Sequence, residues 1–475
     1  MKHITVRDIV KATEGTLILM NGSDEEGEIG ERILKDICID SRIISEGDLF
    51  IPLLGENVDG HKYLPEAMKT AAAALTSKKP EELYPTPEAM EEAKKRGDVL
   101  ILVEDTEKAE QDVGAYIRMQ YEPPVIGVTG SVGKTTTRRM IVTALSGTRE
   151  VYETPGNYNS RYGIPIATSR MLDQPSEAAV LEMGIDRIGE MDILRYVARP
   201  EIAVVTMIGT CHMEYFGDQE TIRAQKLLCA SKDTVLFLNG DDPMLWEMKG
   251  KVEAKEVLYY GFNPEAEYRA EEVSVGDTHV RFVYCHGDVR VPVELPVLGD
   301  HNVRNAVVAM AICDYLGLDL DQSAKALEDF RPMRQITKRM PGGTVVIDDT
   351  YNASPDSMKA LLSVLNDYPT EGSRWAVLGD MFELGSTELE QHAGVGDTFA
   401  QVNVDHLITV GERAKVLGQH AASAKPELDY HAMDSLEAAA EYLKEQLAPE
   451  DVVVLKASHG MHFDRIVEAL IPKDN

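Results

Sequence analysis

Short apolar runs rich in β-branched residues alternate along this chain with longer stretches whose apolar residues recur at helical spacing. Such runs indicate buried strands, and the helical spacing indicates amphipathic helices. Strands are predicted at 99–103, 125–128, 178–183, 203–207, 344–347, 375–378, 407–410 and 452–455. Helices are predicted at 106–120, 189–197, 218–231, 301–316 and 354–365, with one more after the last strand. This alternation predicts an α/β fold with parallel sheets covered by helices.

A different pattern marks residues 268–296. There the apolar residues Val289, Val291, Val293 and Leu295 alternate with mostly polar neighbours. Strict alternation puts apolar side chains on one face, so antiparallel strands with an exposed face are predicted. The alternation of strands and helices resumes after about residue 333.

Three domains are predicted for a chain of 475 residues. Residues 1–119 form a small α/β domain, and the proline-containing segment 122–124 marks its end. Residues 120–332 form a central domain whose mostly parallel sheet also carries antiparallel strands. Residues 333–475 form a Rossmann-like α/β domain.

The composition narrows the class of partner. A net charge of −32 argues against nucleic acid or an anionic membrane, although a local cluster of Arg, Lys and Mg²⁺ can still bind an anionic small molecule. No apolar run approaches the roughly 18 residues of a membrane span, and the charged start does not resemble a signal peptide. The five cysteines are predicted to be reduced thiols. A cytoplasmic protein without membrane insertion is therefore expected, and we expect a monomer.

The strongest chemical signal follows the run at 125–128. The segment Gly130-Ser131-Val132-Gly133-Lys134-Thr135-Thr136 joins this predicted strand to a helix-prone stretch. Glycines let backbone N–H groups approach a phosphate, the helix N-terminus attracts anions, the lysine reaches the terminal phosphates, and the following threonine can hold Mg²⁺. Val128 stands where the strict P-loop pattern has its first glycine, so a plain strand-to-helix turn is the alternative. The sequence predicts ATP binding here.

Polar residues follow two other predicted strands. Glu182 ends the run at 178–183, and His212 follows the run at 203–207. Because ligands bind outside the carboxyl ends of parallel strands, Mg²⁺ binding is favoured for Glu182, whereas for His212 a metal or phosphate role and a structural role are equally supported. A helix cap or surface acid for Glu182, and a structural role for His212, are the alternatives. Lys226 on the next helix, taken by itself, is a solvated lysine.

The segment 348–358 carries more polar side chains than a strand–helix connection needs. Its Asp, Tyr and Asn residues could bind a ribose or orient a phosphate. A helix cap with Ser354 as N-cap and Pro355 at the first helical position is also predicted.

Taken in this order, the motifs resemble the Mur ligase family of ATP-dependent amide-bond-forming enzymes, and the resemblance covers nearly the whole chain. Segments 129–137, 182–184, 209–226, 301–306 and 348–358 carry it. Within the family, segments 40–61, 351–358 and 377–385 are similar to members that add D-alanyl-D-alanine to UDP-N-acetylmuramoyl-tripeptide. The Asp-Asn-Pro-Arg motif of the sibling that adds a diamino acid does not occur.

The resemblance implies roles for particular residues. ATP phosphates would be bound by Gly130, Ser131, Val132, Gly133, Lys134, Thr135 and Thr136. Two Mg²⁺ ions would be held, one by Thr135 and the other by Glu182, His212 and a carbamylated Lys226. Catalysis would rest on Lys134, Lys226, His212 and Glu182. ATP would also contact Asn302, Arg334 and Asp349, and the muramoyl substrate would contact Ser41, Arg42, Thr154, Asn157 and Asn159.

Three positions depart from the family pattern. Ser160 stands where an asparagine is usual, Leu228 where an acidic residue is usual, and Ala457 where a glycine is usual. None of the three removes a phosphate or metal ligand. The implied reaction passes the γ-phosphoryl group of ATP to a carboxylate and lets an amine displace phosphate from the acyl phosphate. A sibling ligase of the cyanophycin or folate type and an ATP-hydrolysing switch remain as alternatives.

Overall fold

A computed structural model of the protein describes residues 1, 3–22, 26–55, 58–276 and 278–471. Three sheets organise these residues, and each is mostly parallel. The predicted α/β fold class is confirmed. Glu56 and Asn57, which belong to the resemblance at 40–61, lie outside the described residues. Across the described part of the chain, no helix is both long enough and apolar enough to cross a membrane.

The first sheet, in the order β1-β5-β4-β3-β2, is parallel except for the pairing of β1 with β5. Its strands are β1 Thr16–Leu19, β2 Ile37–Cys38, β3 Leu49–Phe50, β4 Ala73–Thr76 and β5 Val99–Leu102. The helices around it are α1 Val6–Thr13, α2 Glu26–Gly30, α3 Leu64–Ala67, α4 Pro80–Leu83, α5 Pro87–Arg96 and α6 Thr106–Arg118. Helix α6 packs both against α1 and β4 of this first unit and against the helices of the central unit, which is built on the second sheet.

The central sheet has the order β14-β13-β12-β11-β10-β9-β6-β8-β7. Its strands are β6 Val125–Thr129, β7 Val151–Glu153, β8 Ala178–Glu182, β9 Ile202–Val205, β10 Val235–Asn239, β11 Glu256–Gly261, β12 Tyr268–Val275, β13 Val280–His286 and β14 Val289–Leu295. Its helices are α7 Lys134–Ser146, α8 Gly163–Ser169, α9 Glu190–Ala198, α10 Met213–Phe216, α11 Gln219–Leu227, α12 Pro243–Trp246, α13 Asp300–Tyr315 and α14 Leu320–Leu327.

The strand order of this sheet reverses beside β6. Strands β8 and β7 lie on one side of β6, and β9 to β11 lie on the other. Such a reversal opens a crevice at the carboxyl ends of the strands, where α/β proteins bind ligands. The predicted antiparallel strands are confirmed, since β12 pairs with β13 and β13 with β14 in that sense.

The third sheet, in the order β15-β16-β20-β17-β18-β19, is parallel except for β15. Its strands are β15 Ile336–Arg339, β16 Val345–Asp348, β17 Arg374–Gly379, β18 His406–Val410, β19 Asp429–Met433 and β20 Val452–Lys456. Its helices are α15 Pro355–Asp367, α16 Glu388–Gly396, α17 Glu412–Ala424, α18 Leu436–Gln446 and α19 Asp464–Leu470. The domain boundaries at 119 and 332 stay predictions, although no sheet of the described residues crosses them.

A buried carboxyl group lies where the first unit meets the central one. Helix α6 packs against α8 and α9, and Glu110 on α6 has no exposed surface. Both of its carboxyl oxygens are buried without a hydrogen-bond partner among the described residues. Burial, with a smaller contribution from Glu107, raises the pKa of Glu110 well above 4.5. The side chain is therefore held in its neutral form at a cost in stability.

We expect Glu110→Leu to raise the free energy of unfolding by about 1–3 kcal/mol near pH 7, because it removes two unsatisfied polar atoms. The unfolded state ionises above about pH 4.5 while the folded state keeps its proton, so wild-type stability falls as the pH rises. The gain in the free energy of unfolding should therefore shrink as the pH falls towards 4.5. Thermal melts of the wild type and the variant between about pH 7 and pH 4.5 measure this gain. Glu110→Gln cannot ionise but keeps a buried polar group. It should therefore show only the pH-dependent part of the gain in the free energy of unfolding.

Candidate active site

A cavity of about 880 Å³ lies between the central and third sheets. It is bounded by loops that follow the carboxyl ends of β6, β8, β9 and β10 from one side, and of β16, β17 and β20 from the other. The predicted site residues that line it are Ser131, Val132, Gly133, Lys134, Thr135, Thr136, Asn159, Glu182, His212, Asn302, Arg334 and Asp349. Residues far apart in sequence therefore share one chamber.

The loop between β6 and α7 has the backbone of an anion-binding turn. Gly130 and Gly133 have φ values of 145° and 90°, which favour glycine. A Cβ atom at position 130 would lie 1.9 Å from the Thr206 hydroxyl, so glycine is also required for space. The Lys134 ammonium donates hydrogen bonds to the carbonyl oxygens of Gly130, at 2.8 Å, and Ser131, at 3.2 Å. Burial lowers the pKa of Lys134, while the Glu182 carboxylate opposes that shift.

Glu182 is held in place by several donors. The Thr135 hydroxyl donates to its Oε1 at 3.2 Å and the Asn159 amide donates to the same atom at 2.8 Å. Its side chain is buried, and a guanidinium nitrogen of Arg138 lies 3.5 Å from Oε2. Thr154, also buried, accepts a hydrogen bond from the backbone N–H of Glu182 at 2.8 Å. These contacts exclude the surface-acid alternative for Glu182.

His212 lies just beyond β9 at the start of α10. Its backbone has a φ of 59°, in the left-handed region. Burial lowers the pKa of its imidazole, and Glu383 of the third unit opposes the shift. The Nδ1 atom lies 3.2 Å from Glu383 Oε2. A mostly neutral imidazole at neutral pH can act as an acceptor or a metal ligand.

Lys226 on α11 is buried rather than solvated, with only 2% of its surface exposed. Among the described residues, no hydrogen bond or ion pair to its ammonium is present. Burial and the nearby charge of Lys134 lower its pKa to about 7. The solvated alternative for this lysine is therefore wrong. Near neutral pH a large share of the side chain is the free amine.

Residues of the third unit reach the phosphate loop. The Arg334 guanidinium lies 3.5 Å from the Thr135 hydroxyl and 4.4 Å from the ring centre of Tyr351. Asp349 accepts a hydrogen bond of 2.5 Å from the buried ammonium of Lys456. The third unit is thus docked on the central one in this structure.

A backbone contact fixes the same interface. The Thr210 N–H donates to Asp356 Oδ2 at 3.1 Å. Asp356 follows Ser354, whose hydroxyl accepts the Ser357 N–H as the N-cap of α15, with Pro355 at the first turn. The predicted helix cap is confirmed. One short segment therefore both starts a helix and docks the domain.

The start of α13 faces the cavity on the central side. The Asn302 amide donates to the Leu298 carbonyl at 2.7 Å, which fixes its orientation. One turn on, Asn305 accepts a hydrogen bond of 2.9 Å from the Thr137 hydroxyl and so ties α13 to α7. Burial lowers the pKa of the neighbouring His301, whose Nε2 lies 3.0 Å from the Gln335 side-chain oxygen.

The remaining predicted substrate residues lie on more open surface. Arg42 is exposed and pairs with Asp40 at 2.7 Å. Ser41 is half-buried beside it, and Asn157 is exposed in the loop after β7. The structure does not bring these three into the lining of the cavity.

Several residues that line or support this site were missed by sequence reasoning. Arg138 and Thr206 hold Glu182 and the phosphate loop, while Asp356, Glu383 and Lys456 reach across from the third unit. Arg138 had a local signal, since it is a basic residue on the first turns of the helix that begins at Lys134. The other contacts depend on how the sheets dock.

Comparison with known proteins agrees with the geometry. The model of the Mur ligase middle domain matches residues 128–313. The model of the Mur ligase glutamate ligase domain matches 333–459, and that of the Mur ligase family catalytic domain matches 34–116. A Bacillus subtilis (strain 168) protein named UDP-N-acetylmuramoyl-tripeptide–D-alanyl-D-alanine ligase is 32% identical, over 98% of each chain. The chain belongs to the Mur ligase family.

Other members of the Mur ligase family match over a similar length. A Synechocystis protein with the same name is 31% identical, over 99% of this chain and 98% of its own. The crystal structure of MurF from Acinetobacter baumannii superposes with a TM-score of 0.83 at 27% identity, over 99% of both chains. The likeness therefore extends through all three units.

The three departures from the Mur ligase pattern have different surroundings. Ser160 is exposed at the cavity margin, and Leu228 packs with the apolar residues behind β9. Ala457 is buried after β20, and its Cβ lies 2.6 Å from where a Cβ of Gly379 would be. The side chain at 457 therefore requires glycine at 379.

Proposed function

We propose that this chain is an ATP-dependent, ADP-forming ligase that adds D-alanyl-D-alanine to UDP-N-acetylmuramoyl-tripeptide during synthesis of peptidoglycan precursors. The γ-phosphoryl group of ATP passes to the substrate carboxylate and gives an acyl phosphate and ADP. The dipeptide amine then attacks the acyl carbon, loses a proton, and phosphate leaves. The observation that carries the proposal is the meeting of a phosphate loop, Glu182, His212 and cations of the third unit in one cavity. The full-length likeness to ligases of that name supports the choice of substrates.

The loop from Gly130 to Thr136 is proposed to bind the ATP phosphates. Its backbone N–H groups and the start of α7 favour an anion. The Ser131 hydroxyl is buried without a partner among the described residues and lines the cavity, as expected of a donor that awaits a ligand. Lys134 is proposed to stabilise the charge of the transferring phosphoryl group. Arg334 reaches the same place from the third unit.

Two Mg²⁺ ions fit the residues present, although no group of three or more His, Cys, Asp and Glu in the described chain is arranged to bind a metal. Mg²⁺ keeps water and phosphate ligands and needs few protein groups. Thr135 and Glu182 place two oxygen atoms 3.2 Å apart. We assign Thr135 to one ion, and Glu182, His212 and carbamylated Lys226 to the other. Bound Mg²⁺ would neutralise charge on the phosphates and the carboxylate.

The nucleoside of ATP is assigned to the start of α13 and the third sheet. Asn302, whose orientation is fixed by Leu298, is proposed to contact adenine. Asp349 is proposed to contact the ribose, and its pairing with Lys456 supports a fixed carboxylate at that position.

The muramoyl substrate is assigned to the first unit and the adjoining loops. Ser41 and Arg42 are proposed to bind the uridine nucleotide, and Asn157 and Asn159 the sugar and peptide. Asn159 also donates to Glu182, so it would link substrate to metal. Thr154, which the resemblance placed against the muramoyl substrate, is buried and does not line the cavity, so it is proposed instead to act through its hydrogen bond to the Glu182 backbone.

The test is phosphate release from ATP with purified protein and Mg²⁺. We expect phosphate release only when both UDP-N-acetylmuramoyl-tripeptide and D-alanyl-D-alanine are present. Mass spectrometry should then detect UDP-N-acetylmuramoyl-pentapeptide as the product. Tripeptides with lysine or diaminopimelate at position three should be compared directly. Release with another amine or acceptor would indicate a sibling ligase, and release with ATP alone would indicate a nucleotide switch. Either result would overturn the proposal.

A further inference from the structure

One contact across the cavity joins two residues with unusual backbones. His212 of the central unit has φ 59° and Glu383 of the third unit has φ 62°. Residues other than glycine adopt this region rarely, and each such position costs about 1 kcal/mol or more. The two side chains meet with 3.2 Å between Nδ1 and Oε2. The surrounding structure therefore fixes the backbone on both sides of this contact, while the Glu383 side chain stays 62% exposed.

On the third unit, the loop that carries Glu383 is fixed by hydrogen bonds to its backbone. The loop follows β17. The Met381 N–H donates to His392 Nε2 at 2.9 Å, and the Phe382 N–H donates to the Ser458 hydroxyl at 2.8 Å. His392 is fully buried. The backbone next to Glu383 is thus fixed within its own domain, independently of His212.

The same loop is docked on the segment that carries His212. The 3₁₀ turn Gly385–Thr387 lies against α10, which begins directly after His212. A Cβ atom at Gly385 would lie 3.2 Å from the Glu214 Cβ, so the two backbones are close. The contact between His212 and Glu383 therefore belongs to a packed interface between the domains.

We propose that Glu383 is a positioning residue for His212, supplied by the third unit only when that unit is docked. At 3.2 Å the Glu383 carboxylate is close enough to accept the Nδ1–H, which would fix the ring and leave Nε2 with its lone pair, the arrangement found where histidines bind metals. The His212 part of the site is then complete only in the closed arrangement. The expected effects of Glu383 on metal binding and catalysis rest on the proposed function. Its expected effect on the tautomer of the His212 ring does not.

A purely structural ion pair would give a different result from a positioning contact. It would hold the domains together but would leave the imidazole proton on either nitrogen. The distinguishing quantity is therefore the tautomer of His212. Glu214 offers a matched control, because it lies two residues further on at the same interface and, among the described residues, makes no hydrogen bond or ion pair to an imidazole.

The experiment uses the full chain, labelled with ¹⁵N-histidine, without ligands. Spectra are recorded at a pH about two units above the ordinary histidine pKa. The His212 signals are assigned by their loss in His212→Gln. We expect the proton on Nδ1 in the wild type and in Glu214→Gln, and a mixture of tautomers in Glu383→Ala. Glu383→Gln keeps an acceptor oxygen and should retain part of the Nδ1 preference. An unchanged His212 spectrum in Glu383→Ala would overturn the proposal.

A second measurement follows the metal directly. Binding of Mn²⁺, as a probe for Mg²⁺, is titrated by electron paramagnetic resonance in the presence of ADP. We expect about tenfold weaker binding in Glu383→Ala, as for loss of other carboxylates behind a metal-binding histidine. The turnover number should fall, while KM for the uridine substrate stays near its wild-type value. A wild type inactive as a ligase would refute the proposed function but not the tautomer result, so the two failures are distinguishable.

Discussion

Replacement of Lys134 by alanine should lower the turnover number by about a thousandfold or more. The phosphoryl group carries negative charge through its transfer, and a fixed cation in a partly buried site stabilises that charge by several kcal/mol. Lys134 stands at the start of α7, and its ammonium is directed into the phosphate loop. The measurement is the initial rate of phosphate release with saturating substrates.

Lys255→Ala is the control, because Lys255 is an exposed lysine of the same unit. That variant should keep wild-type turnover. Lys134→Arg retains the charge but not the shape and should recover only part of the loss. Near-normal ligase activity in Lys134→Ala would refute the assignment of this loop.

The phosphate loop was predictable because its signal is local. An apolar strand, two glycines and a helix with lysine and threonine at its start lie within one short segment. The sequence indicated that glycine at 130 serves the turn, but it did not indicate the lack of space for a side chain there. The Thr206 hydroxyl that fills the space beside Gly130 comes from the end of another strand, and only the sheet order brings them together.

The burial of Lys226 could have been predicted from its helical spacing, although a lysine is usually expected to be exposed. Ile222 and Lys226 lie four residues apart and so share one face of α11, and both are buried. Cys229 and Ala230 continue this buried face beyond the helix. A lysine in an apolar stripe is a candidate for a shifted pKa, but the identity of its neighbours comes from other strands.

Contacts between the units could not be predicted from local pattern. Glu383 and Asp356 lie more than a hundred residues from His212 and Thr210, and nothing in either segment indicates its partner. Arg334 entered only through the resemblance to a family, whereas Asp349 also lies in the polar segment 348–358 that the sequence itself marked. The short strands β2 and β3, of two residues each, also escaped prediction because they are too short for any periodicity.

Lys226→Ala is expected to lose about a hundredfold or more in turnover, because it would remove the carbamate that is proposed to help hold Mg²⁺. With a pKa of about 7, about half of the wild-type amine is neutral near pH 7, and this neutral form can add CO₂, giving a carbamate and releasing a proton. In the proposed site, a carbamate would put an anion in place of this amine, beside Lys134 and the proposed Mg²⁺. Short carboxylic acids such as acetate should partly restore turnover in the variant, because they can occupy the carbamate's place.

The carbamate itself is tested with ¹³C-labelled bicarbonate. We expect a carbamate carbon signal in the wild type and its absence in Lys226→Ala. Lys232→Ala is the matched control: Lys232 is an exposed lysine just beyond the same helix, and its loss should change neither signal nor turnover. Full activity in Lys226→Ala would exclude a catalytic role for this lysine. A substrate-bound crystal structure with an unmodified amine directed to solvent would exclude the carbamate.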